Sequence, residues 1–148
     1  MIWWQTIILI FIALYSTVAF FQGFKNTYIK KNPYGLTPRF NILGSFVWVD
    51  AVVFGAFFSI VSVVSILFQN INLFLLVFCV FWVIRSVGEQ IYWFLEQFAD
   101  KNRNKPENLP MSKYFPGKSV YIYTQIFWQC ISVIAIILSV YFFLQVFK

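Results

Sequence analysis

Four apolar runs separated by polar stretches organise this chain. Ile2–Phe21 carries no charged residue. Leu43–Phe68 is interrupted only by Asp50, Ile71–Phe98 holds its charges in its second half, and Ser119–Phe147 is uncharged up to Lys148. About 20 apolar residues in helical form cross roughly 30 Å of hydrocarbon. Each run is therefore long enough to span a bilayer. The pattern predicts an all-α polytopic membrane protein with four transmembrane helices, at about 2–21, 43–68, 71–98 and 119–147, in an antiparallel bundle. One domain over 1–148 is expected, with polar loops at 22–42 and 99–118. The first run lacks a basic segment before it and a small-residue cleavage site after it, so it reads as a retained helix.

The short stretches refine this outline. Asn32-Pro-Tyr-Gly35 has Pro second and Gly fourth, which suits a type I turn. Gln69–Asn72 joins two runs so tightly that the helices it links must be neighbours. In the second run Ala51, Gly55, Ser59 and Ser62 recur at steps of four, four and three. That spacing lays small residues along one stripe, where two helix backbones can approach closely. Asn102, Asn104, Pro106, Asn108, Pro110, Pro116 and Gly117 make 99–118 a loop.

Composition agrees with the periodicity. Of 148 residues, 61% are hydrophobic and only 11% charged, against about 25% charged in a soluble domain. So few polar side chains cannot cover a water-facing surface. The net charge is +6, and its placement sets its meaning. Lys25, Lys30, Lys31 and Arg39 lie between runs one and two. Lys101, Arg103, Lys105, Lys113 and Lys118 lie between runs three and four. Basic residues gathered in alternate loops place those loops on the cytoplasmic side and both termini outside. The expected location is a cell (inner or plasma) membrane, the lipid bilayer is the expected partner, and nucleic acid is not.

One polar layer stands out. Ile71–Ile84 gives fourteen uncharged residues, or about 21 Å of helix, before Arg85 and Glu89. Ile84, Val87, Ile91, Phe94, Leu95 and Phe98 continue an apolar face beyond them. Arg85, Glu89, Tyr92 and Glu96 form the opposite stripe. Counting at about 1.5 Å per residue from the outer ends puts Asp50, Glu89 and Gln129 near one level, with Arg85 slightly deeper. Gln125 and Ser132 share a stripe with Gln129. The expected cluster is thus Asp50, Arg85, Glu89, Gln125 and Gln129. A lone Arg in hydrocarbon costs at least about 2.5 kcal/mol, and nearby carboxylates offset that cost. Such a layer is either a structural charge clasp or a transport site opening to the cytoplasm.

Catalytic chemistry finds no candidates. The chain has no histidine and two cysteines, Cys79 and Cys130, both inside apolar runs and both expected to be reduced, buried hydrophobes. No metal-ligand spacing, nucleophile–base pair or cofactor motif is present. Gly117-Lys118-Ser119 lacks the first glycine of a phosphate loop, since position 112 is Ser. These residues point to a non-enzymatic accessory or assembly subunit, in a homo-oligomer or with a larger membrane-protein partner. The alternative is an oligomeric transporter or channel using the Asp50/Arg85/Glu89 layer. A lipid-modifying enzyme is a third and more distant reading.

Overall fold

The structure, a computed structural model, describes residues 1–99, 103–109 and 111–148. Lys101, Asn102 and Pro110 lie outside the described residues. Four long helices form: α1 (Trp3–Phe24), α2 (Trp48–Leu67), α3 (Ile71–Phe98) and α4 (Ser119–Val146). All four are long and apolar enough to cross a membrane. The described chain divides into two compact units, Met1–Val77 with Phe142–Lys148, and Phe78–Tyr141.

In the first unit α1 and α2 run antiparallel, and small residues set how closely they pack. A Cβ added to Gly55 would lie 2.6 Å from the Phe20 backbone nitrogen and 2.7 Å from the Ser16 carbonyl oxygen. At Gly23 the clash is 2.8 Å from the Val52 nitrogen. Ala51, Gly55 and Ser62 are buried, and Ser59 Oγ meets Thr17 Oγ1 at 3.0 Å. The stripe read from the second run is this packing seam. Small residues let the two backbones touch, and dispersion across that contact then contributes to the packing.

α2 ends at a left-handed Gln69 (φ 52). The Asn70 N–H reaches the Ser65 carbonyl and the Gln69 N–H reaches that of Ile66, each at 3.0 Å. This is a Schellman stop. Asn70 Oδ1 then accepts the Asn72 N–H at 3.0 Å, starting α3 as an N-cap. The start of α3 lies beside α2, with the Phe58 and Phe74 rings 6.4 Å apart.

The first loop departs from the expected one. α1 runs to Phe24, past the expected 21, and continues as one π-helical turn, Lys25–Ile29. α2 begins at Trp48, not at 43, because Leu43 ends a 3-10 turn, Pro38–Leu43, that Gly44 closes in the left-handed region (φ 69). Between these elements the backbone is bonded to itself. The Thr37 N–H donates to the Phe46 carbonyl at 3.0 Å, and those of Trp48 and Val49 donate to Gly35 and Pro33 at 3.1 Å. The Tyr15 hydroxyl donates to the Arg39 carbonyl, and the Tyr15 and Phe40 rings lie 5.5 Å apart. Tyr15 stands eight residues, about 12 Å, along α1 from Gly23. The 3-10 turn therefore comes back along α1 rather than extending past its end, and Phe40 and Leu43 are buried there.

In the second unit α3 and α4 also run antiparallel, over the core of Trp93, Val120 and Tyr121. The Trp93 and Tyr121 rings stack at 5.9 Å and those of Trp82 and Trp128 at 6.3 Å. Cys79 is buried, but Cys130 is exposed, so only the first behaves as a core hydrophobe.

Overpacking the seam is expected to cost about 1–3 kcal/mol. Gly55→Val should lower the detergent-solubilised melting temperature clearly. Gly88→Ala, with open space around its added Cβ, should leave it unchanged or raise it. Equal melting temperatures for the Gly55 variant and the parent chain would refute backbone contact at the seam.

Candidate functional site

α3 presents two polar stripes rotated from each other by one residue, about 100° of helix. The first carries Arg85 and Glu89. Arg85 Nη2 lies 3.1 Å from Glu89 Oε1, one turn away on the same helix, with side-chain exposures of 21% and 14%. The other oxygen, Glu89 Oε2, accepts the Trp93 indole N–H at 3.2 Å. Opposite charges at this spacing neutralise one another at the least entropic cost, since one helix already fixes both backbones.

The second stripe is Ser86, Gln90 and Gln97, and it faces α4. Ser86 Oγ meets Ser132 Oγ at 2.7 Å, and both residues are buried. Gln90 Nε2 donates to Ser132 Oγ at 2.7 Å and to the Trp128 carbonyl at 3.3 Å. Gln97 Nε2 donates to Gln125 Oε1 at 2.6 Å. Together they make a ladder of interhelical hydrogen bonds.

A third group closes the loop end of α3. Glu96 is only 6% exposed. Its Oε1 accepts the Arg103 backbone N–H at 3.3 Å. Asn104 Nδ2 donates to the Tyr92 hydroxyl at 2.6 Å, and the Tyr121 hydroxyl donates to the Asn104 carbonyl at 2.5 Å. Lys118 Nζ donates to the Gln97 and Ala99 carbonyls at 3.3 and 3.1 Å. The Gly-Lys-Ser segment thus caps the C-terminal end of α3, where a cation meets the orphan carbonyls and the negative end of the helix dipole.

The five expected residues occupy different settings. Arg85 and Glu89 are paired. Gln125 is engaged by Gln97, a partner that sequence reasoning did not name. Gln129 is exposed. Along α4 it sits about 40° from Gln125 and about 60° from Ser132, enough to turn it off the face those two share. Asp50 belongs to the first unit, where its Oδ2 accepts the Phe46 N–H at 3.2 Å. It stands in the first turn of α2, where a carboxylate gains from the positive end of the helix. Ser86, Gln90 and Gln97 were missed, while Glu96 was placed on the Arg85 stripe without its burial. Their signal was the recurrence of small or amide side chains at 86, 90 and 97, matched by Gln125 and Ser132. No protein-family model, curated protein or solved structure matches the chain.

Removing one member of a half-buried pair strands the other charge, whereas removing both does not. Arg85→Met should therefore lower the melting temperature more than the double variant Arg85→Met/Glu89→Met. If the double variant is the less stable of the two, Arg85 and Glu89 do not neutralise each other.

Proposed function

We propose that this chain is a multi-pass integral membrane protein acting as a non-enzymatic accessory or assembly subunit, with Arg85 and Glu89 as a structural charge clasp. The observation that carries the reading is the Arg85–Glu89–Trp93 chain within α3, in which both carboxylate oxygens are already engaged. A carboxylate whose two oxygens are held by a guanidinium and an indole N–H is locked in position, which suits a clasp better than a mobile carrier. Each of the four apolar helices is long and apolar enough to cross a bilayer, which supports this reading. Both basic loops lie on the cytoplasmic side and both termini outside.

A second reading is an oligomeric transporter or channel. It draws support from the exposure that Arg85 and Glu89 keep, 21% and 14%, which leaves the pair within reach of water or a solute.

Extraction of native membrane patches followed by intact-mass measurement tests the assignment. The subunit reading expects a complex of fixed stoichiometry, either several copies or one copy with a constant larger partner. A uniform single-chain species across preparations would contradict it. Glu89→Gln separates the two readings further. Under the clasp it lowers the melting temperature and leaves the permeability of reconstituted vesicles to small ions unchanged. Under the transport reading a wild-type ion flux disappears while the fold persists.

A further inference from the structure

We propose that the first loop is a binding surface for anionic phospholipid headgroups. The inference rests on the membrane reading above and adds a ligand to it. Residues 22–49 contain Lys25, Lys30, Lys31 and Arg39 and no Asp or Glu. All four basic residues are exposed, and none of their side chains makes an ion pair or hydrogen bond among the described residues. The other basic loop is different. It contains Glu107, and its Lys118 is occupied by α3 carbonyls. The first loop thus carries four cations with no acidic residue among them in sequence, whereas 99–118 includes Asp100 and Glu107.

The same loop exposes apolar side chains on an ordered frame. Tyr34, Leu36 and Ile42 are 80%, 79% and 65% exposed. Yet the backbone that carries them is held by the bonds from Thr37, Trp48 and Val49, and by the Leu36–Val47 bridge. Protruding apolar groups on a fixed loop, beside unpaired cations and next to an apolar helix pair, match the boundary where phosphates meet acyl chains. Arg39 is the strongest contributor. Its planar guanidinium suits a phosphodiester, and its main chain is already fixed by Tyr15. The four charges fit a headgroup of net negative charge and give a zwitterionic one no comparable attraction.

The test is native mass spectrometry of the full chain in detergent, titrated with phosphatidylglycerol or phosphatidylcholine of matched acyl chains. The wild type should retain phosphatidylglycerol preferentially. In Lys25→Gln/Lys30→Gln/Arg39→Gln, the preference should fall about fivefold for each charge removed. Arg103→Gln/Lys105→Gln/Lys113→Gln should keep most of it. An equal loss in both variants, or no preference in the wild type, overturns the proposal. Because Tyr15 bonds the Arg39 carbonyl and not its side chain, the first variant should fold. Should it not, the wild type alone decides, since added salt must erode a headgroup preference built on exposed charge. A salt-independent preference also overturns it. Absence of any preference in a wild-type chain that still resists alkaline extraction from membranes counts against this site and not against the membrane reading.

Discussion

A polar group set into an apolar helix must find its partner within the protein, because hydrocarbon offers none. On the membrane reading proposed above, that constraint accounts for the polar pairings described here. Arg85 finds Glu89 on its own helix, and Glu89 also takes the Trp93 indole. Ser86, Gln90 and Gln97 find Ser132 and Gln125 on α4. Thr17, Ser62, Thr124 and Ser139 each donate to the carbonyl four residues back on their own helix, whereas the buried hydroxyls of Ser16 and Ser65 have no hydrogen-bond partner among the described residues. Each such bond contributes modestly, about 0.6 kcal/mol on average between helices in membranes. The ladder's larger effect is on register, because sliding α3 against α4 would break every rung together.

The two helix pairs meet the constraint by different routes. α1 and α2 rely on proximity, with Gly23 and Gly55 allowing backbone to touch backbone. α3 and α4 rely on polar rungs flanked by stacked aromatic rings. The first loop follows the same logic outside the helices. Its irregular backbone is bonded internally and to Tyr15, so it can lie along α1 without leaving those groups unpaired. Its surface then joins the pair to what surrounds it, with exposed cations and apolar tips side by side.

The four helices were legible from run length alone, because a 20-residue apolar stretch has few alternatives to a helix. The α1–α2 seam was legible too, since Ala51, Gly55, Ser59 and Ser62 repeat at helical spacing. The start of α2 was not. Leu43–Val47 is apolar enough to continue the run, and only the left-handed Gly44 reveals the turn there. The Arg85–Glu89 pair follows from one-turn spacing, but the α4-facing stripe lies one residue away. Charges drew attention to 85 and 89, while the weaker signal of Ser86, Gln90 and Gln97 marks the interhelical face. Asp50 illustrates the limit of counting depth. Distance along a helix gave it a level, while its local bond to the Phe46 N–H depends on how the loop closes. Glu96 was read as part of a polar stripe, and its burial depends on the loop residues Arg103 and Asn104 folding back over it.

The α3–α4 register can be measured directly by disulfide trapping in native membranes. In a chain with Cys79 and Cys130 replaced by Ala, Ser86→Cys/Ser132→Cys places two thiols where hydroxyl oxygens lie 2.7 Å apart. Mild oxidation should close an intramolecular bridge rapidly, while Ser86→Cys/Gln129→Cys, with its second thiol on an exposed position, should close slowly. Failure of the first pair to bridge, or faster bridging of the second, would contradict the account in which polar rungs between these helices fix their register.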